Sequence, residues 1–171
     1  MRAAAARERL ARERFDLVVL SPGPGTPADF GVADTVALAR SRAIPLFGVC
    51  LGLQGIVEHF GGRLRQLDVP MHGKPSAVLN RGGRLLDGLP ARFTAARYHS
   101  LVADPGSLPP ALRISAATED GVVMAVEHEA EPIAAVQFHP ESILTLDGDV
   151  GRRIVRNAVV RLCAAAGVPA T

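Results

Sequence analysis

A strand that must stop and become a helix within two residues constrains a chain more than composition does, and Pro45-Leu-Phe-Gly-Val-Cys-Leu-Gly-Leu-Gln54 reads as such a junction. Leu46, Phe47 and Val49 suit a buried strand, while Gly48 and Gly52 remove side chains where a sharp strand-to-helix turn would crowd. Cys50 then stands at the tip, beside the unpaired N–H groups that open a helix. The positive end of that helix favours the thiolate, the form that attacks carbonyl carbon. Gln54 follows one helical turn later and shares its face. On this stretch alone, Cys50 is equally well read as a small buried apolar residue.

A second stretch, Ala135-Val-Gln-Phe-His-Pro-Glu-Ser142, tips the balance. An apolar strand ends in His139, and Glu141 follows two residues on: a base and an orienting acid are what a thiol nucleophile needs. His72, His99 and His128 read as structural or interface residues, since no orienting carboxylate follows His99, the nearest rival. Cys163, in a late helix, reads as structural.

Composition narrows the field. The chain has 171 residues, enough for one domain with a real core, and 48% hydrophobic with only 4% aromatic residues suits an α/β protein of modest side chains. No run approaches the ~20 apolar residues of a membrane span. A formal charge of +2 with arginines clustered only near the N-terminus makes no nucleic-acid stripe, so neither nucleic acid nor membrane is expected as a partner. Two cysteines far apart are no disulfide framework, and with no signal peptide in view the cytoplasm is expected.

Taken in order, Ala3 to Arg14 predicts a charged helix at the domain edge, and Phe15 to Leu20 a buried parallel strand ending in Ser21-Pro-Gly-Pro-Gly-Thr-Pro27. Phe30 to Arg42 predicts a helix and Ile44 to Val49 the next strand. A right-handed crossover between parallel strands puts the loop bearing Gly23 and the cysteine on one sheet edge. Leu51 to Phe60 is the elbow helix, and short strands and turns follow it. Gly121 to Val126 and Ile133 to Phe138 form a hairpin, and Asp149 caps a final amphipathic helix.

These pieces, with Met71-His-Gly-Lys-Pro-Ser76 and Arg97-Tyr-His-Ser-Leu-Val102, occur in an order that resembles the class I (triad) glutamine amidotransferases, especially the glutaminase of anthranilate synthase and of its relative aminodeoxychorismate synthase. The resemblance covers nearly all of the chain after Phe15. It implies an α/β fold with an open, mostly parallel, flavodoxin-like sheet flanked by helices. It implies Cys50, His139 and Glu141 as catalytic residues, and glutamine held by Gly23, Pro24, Gly25, Leu51, Gln54, Ser100 and Leu101. The N–H groups of Leu51 and Gly23 would face the oxyanion. It further implies a chorismate-using synthase as partner, with Mg²⁺ on that partner and no metal or cofactor here.

Family members begin with a strand, a helix and a second strand before the segment matching Ala3 to Leu20. The domain, residues 1–171, is therefore expected to be partial at its N-terminus, as a late start, a fragment of a longer or fused chain, or a degenerate copy. Two rivals are a cysteine hydrolase of the α/β-hydrolase type, whose acid would lie well before the histidine, and a non-catalytic interaction subunit.

Overall fold

A computed structural model describes residues 3–145 and 147–168. Helix α1 (Ala3–Arg12) leads into strand β1 (Val18–Leu20), helix α2 (Val32–Ser41), strand β2 (Leu46–Val49) and helix α3 (Leu51–His59). Strands β3 (Leu64–Gln66), β4 (Lys74–Asn80), β5 (Arg92–Arg97), β6 (Leu101–Ala103), β7 (Leu112–Ala117), β8 (Val123–His128) and β9 (Ile133–Val136) follow, then helix α4 (Val150–Asn157). A π-helical turn, Ala158–Leu162, and a last helical turn, Cys163–Ala165, extend α4.

Seven strands form one sheet in the order β1-β2-β9-β8-β7-β4-β5, and β3 with β6 forms a small second sheet. The α/β class and the flanking helices are as expected, but the sheet is more evenly mixed. The pairs β1–β2 and β2–β9 are parallel, whereas β9–β8, β8–β7, β7–β4 and β4–β5 are antiparallel. The expected hairpin joins β8 to β9, and its Glu129–Pro132 turn is tied by the N–H groups of Ala130 and Glu131 donating to His128 Nδ1.

Strand alternation sorts the apolar residues onto two faces. Leu46, Ile133 and Ala135 pack with Leu10, Val36, Leu53 and Ile56 on the α1–α3 side, while Phe47, Val49, Ala134 and Val136 pack with Phe138, Ile154 and Leu162 on the α4 side. Burial on both faces explains why β2 and β9 carry continuous apolar runs.

Three local expectations differ. Only Val18–Leu20 of the Phe15 to Leu20 run is strand. The helix expected from Phe30 starts at Val32, because Gly31, at φ 58°, ends a 3-10 turn (Pro27–Phe30) before α2 begins. Asp149 sits at φ 63°, where its side chain makes no capping bond; its carboxylate lies 3.6 Å from Arg152 instead.

Among the described residues β1 pairs with β2 alone. Beside its other edge runs a groove of about 460 Å³ lined by Leu10, Phe15, Val19, Phe30 and Leu51. No described helix is long and apolar enough to cross a membrane.

Candidate active site

The elbow is fixed by sterics. Cys50 has φ 53° and ψ −100°, a conformation that L-residues adopt only under constraint. Its N–H donates to the Val136 carbonyl at 2.8 Å, and its own carbonyl accepts from the Gln54 N–H at 3.1 Å. A Cβ at position 48 would stand 2.7 Å from the Gly52 carbonyl carbon, and one at position 52 would stand 2.3 Å from the Leu20 carbonyl oxygen. Both glycines are therefore required by contact, as the sequence suggested.

Cys50 is 6% exposed. Burial pushes its thiol up to about 11; the Leu51 N–H and the Gln137 amide pull the other way, and the charge of Glu141 adds to the rise. The resting thiol is thus protonated at neutral pH and needs a base.

His139 Nδ1 lies 2.7 Å from Glu141 Oε1, and its Nε2 is buried without a partner among the described residues. The pair is held from outside β9: the His139 N–H donates to the Ala96 carbonyl of β5 at 3.0 Å, and the Ala96 N–H donates to Thr145 Oγ1 at 2.9 Å. The Tyr98 ring meets the imidazole edge-on at 5.0 Å between centroids. Cys50 Sγ and His139 Nε2 do not bond one another here. Nucleophile–base bonds commonly tighten only around a substrate.

The expected glutamine-binding residues fall into two groups. Gln54 is buried and its Nε2 donates to the Leu101 carbonyl at 3.0 Å, while the neighbouring Ser100 carbonyl accepts from the Leu67 N–H at 2.8 Å. Gly23 lies beside the elbow, where a Cβ would be 3.5 Å from Leu51 Cδ2. Pro24 and Gly25 occupy the exposed rim of that loop, and no contact among the described residues ties them to Cys50. The loop is stiffened locally: Asp29 Oδ2 accepts from the Thr26 N–H at 2.7 Å and from the Thr26 hydroxyl at 2.9 Å.

His99 is buried beside Arg97, whose Nε donates to His99 Nε2 at 3.1 Å. Burial first, then the Arg97 charge, holds its imidazole down at about 4, so it is neutral and makes a poor base. Cys163 is buried, its Sγ 3.4 Å from the Asp16 carbonyl. Two residues at the site escaped the sequence reading. Gln137 donates from Nε2 to Cys50 Sγ at 3.5 Å, and Tyr98 packs on His139. The signal for Gln137 was its place as the one polar residue between Ile133 and Phe138. Among the described residues, no group of His, Cys, Asp and Glu could hold a metal ion.

Fold and site together define an α/β protein that presents a thiol at a strand-to-helix elbow and carries a histidine–carboxylate pair two residues beyond Gln137, whose amide donates to that thiol. A family model described as glutamine amidotransferase class-I matches residues 2–162, and the chain belongs to that family. It is 58% identical over 161 residues to an anthranilate synthase of Azospirillum brasilense, covering 94% of this chain and 22% of that protein. It is 50% identical over 145 residues to anthranilate synthase component 2 of Mycobacterium tuberculosis, covering 84% of this chain and 61% of that protein. An aminodeoxychorismate synthase of Streptomyces griseus is 48% identical over 139 residues, covering 80% of this chain and 19% of that protein. The chain therefore spans about three-fifths of the component 2 protein and about a fifth of the other two. A solved structure of a glutamine amidotransferase from Thermotoga maritima superposes with a TM-score of 0.73 at 16% identity, covering 89% of this chain and 80% of that one, which bears on the fold alone.

Proposed function

We propose that this chain hydrolyses the side-chain amide of glutamine and delivers the ammonia to a chorismate-using synthase, with anthranilate as the product and the cytoplasm as the place of work. The observations that support the reading are the elbow that holds Cys50 and the hydrogen-bonded His139–Glu141 pair, in a chain of this family.

His139 Nε2 takes the thiol proton as Cys50 Sγ attacks the amide carbon. The negative charge on the oxygen falls to the N–H groups of Leu51 and Gly23; one such donor is typically worth ~3 kcal/mol. As the C–N bond breaks, His139 returns the proton to the departing ammonia, leaving a thioester. Water, deprotonated by the same imidazole, then releases glutamate and restores the thiol. Glu141 holds the imidazole by Nδ1 and stabilises its cation. Gly23, Pro24, Gly25, Leu51, Gln54, Ser100 and Leu101 would hold the substrate. No step calls for a metal on this chain, and Mg²⁺ would serve the synthase.

A partner is supported by apolar side chains left in solvent around the histidine segment: Ile143 is 81% exposed, Leu144 39% and Tyr98 38%. Docking there would let ammonia leave without crossing bulk water. The 48% identity to an aminodeoxychorismate synthase supports a second product, the precursor of 4-aminobenzoate. The α/β-hydrolase reading is disfavoured because the tight acid follows the histidine by two residues.

The test is glutamine- and ammonia-dependent synthesis with the cognate synthase, the product identified by mass. Cys50→Ser and His139→Ala should abolish the glutamine-dependent rate and leave the ammonia-dependent rate intact. Retained glutamine-dependent synthesis in Cys50→Ser would refute the nucleophile. Synthase binding with no glutamine-dependent rate in the unsubstituted complex would favour a non-catalytic role in its place.

A further inference from the structure

Gln137 is fully buried, yet it brings an amide to the end of an apolar strand, just after β9, and the proposed chemistry gives it no task. Buried amides left unpaired are strongly destabilising, so the partners of this one say what it is for. Its Nε2 donates to Cys50 Sγ at 3.5 Å, and its Oε1 accepts from Gln54 Nε2, also at 3.5 Å. Gln54 Nε2 donates in addition to the Leu101 carbonyl at 3.0 Å.

The polarity of this chain of bonds is set at one end. A carbonyl can only accept, so Gln54 must turn its NH₂ group toward Leu101. The second hydrogen of that group serves Gln137 Oε1, which leaves the NH₂ of Gln137 for the sulfur. The strands bring the two together: Val49 stands opposite Val136, and the Cys50 N–H donates to the carbonyl of Val136, the residue before Gln137, at 2.8 Å.

We propose that Gln137 is a positioning residue for the Cys50 nucleophile, its amide oriented by Gln54 and Leu101 so that an N–H donor faces the sulfur and stabilises the thiolate. The proposal deepens the glutaminase reading and rests on it. A thiolate accepts and never donates, so a fixed N–H beside it favours the charged form against the burial that opposes it. Gln54 and Leu101 are also glutamine-binding candidates. A substrate that engages them acts on the far end of the same bonded chain and so couples occupancy to the state of the thiol.

The test uses the full chain carrying Cys163→Ala, with the ionisation of Cys50 followed by the Cβ carbon shift of isotopically labelled cysteine. Iodoacetamide alkylation rates are read alongside across the alkaline range. Gln137→Met should move the Cys50 midpoint upward by about one pH unit and slow alkylation on the rising limb about tenfold. Gln137→Glu should move it further, because a second carboxylate then faces the sulfur. An unmoved midpoint in a Gln137→Met chain that melts like its parent overturns the proposal. If that variant does not fold, Gln54→Met carries the same test: loss of the orienting group should raise the midpoint, and an unchanged value overturns the proposal. Ammonia release from glutamine by the parent is assayed separately. A midpoint shifted in Gln137→Met, with a parent that releases no ammonia, would sustain Gln137 as a thiol-positioning group while removing the glutaminase reading.

Discussion

Strand β2 has a hydrogen-bonded neighbour on each side and is buried along its whole length, whereas among the described residues β1 pairs with β2 alone and leaves Val19 53% exposed. Each feeds one loop into the proposed site. The elbow leaving β2 is held by the Val136 carbonyl, two obligatory glycines and the packing of α3. The Ser21–Thr26 loop leaving β1 is held by its own turn, the Thr26–Asp29 bonds, and by Arg7 donating to the Phe30 carbonyl at 3.1 Å. Cys50 is therefore fixed by the fold as a whole, while Gly23, proposed as the second oxyanion donor, depends on local structure and on the seams where α3 meets β1 and the Pro27–Phe30 turn.

The largest expected effect comes from breaking the seam between α3 and β1. Gly52→Val would drive a Cβ to within 2.3 Å of the Leu20 carbonyl oxygen and 2.8 Å of Leu20 Cβ, and backbone cannot swing aside as a side chain end can. Urea unfolding should show a loss of at least ~3 kcal/mol, or no cooperative transition. A Gly52→Val chain as stable as its parent would mean that β1 is free of the elbow.

A smaller effect tests the buried His99–Arg97 contact by pH. Burial and the Arg97 charge hold His99 down at about 4, while an unfolded histidine titrates near 6.5. A depressed folded value means that the unfolded chain takes up the proton first as pH falls. Stability from this group is intact above about pH 6.5 and drains away as pH drops toward about 4, by roughly 2.5 kcal/mol at pH 4.5. Unfolding free energies at pH 7 and pH 4.5 check it, and His99→Gln should flatten the difference. An equal loss in both chains would assign the pH dependence elsewhere.

The smallest effect lies on the open edge. Val19→Thr keeps the β-branch and changes a side chain already in solvent, so stability should stay within ~0.5 kcal/mol of the parent. A loss several times larger would show that the edge is covered in solution and would narrow the contrast with β2.

What could be read from the sequence follows the same division. The elbow was legible because two glycines flanking a cysteine leave few geometries, and the β8–β9 hairpin because an acidic, proline-ended turn separates two apolar runs. The extent of the antiparallel half was not legible. Contacts such as Leu79 opposite Ala117 join residues far apart in sequence, and no local pattern specifies them. Gly31 was hidden inside a helical pattern that it interrupts by a left-handed φ, and Asp149 looked like a cap until its own left-handed φ turned it toward Arg152. Gln137 stood within a motif already noticed, but its meaning required knowing that its amide meets the Cys50 sulfur.

Whether Cys50, with His139 as its base, is the reactive thiol is tested most directly by competitive labelling of the two thiols by a glutamine-like electrophile, with peptide mapping. The two are buried alike, Cys50 at 6% and Cys163 at 4% exposure, so access alone gives neither an advantage. The account predicts modification of Cys50 with Cys163 untouched, and protection of Cys50 by free glutamine. Equal labelling of the two thiols, or labelling that glutamine does not slow, would contradict it.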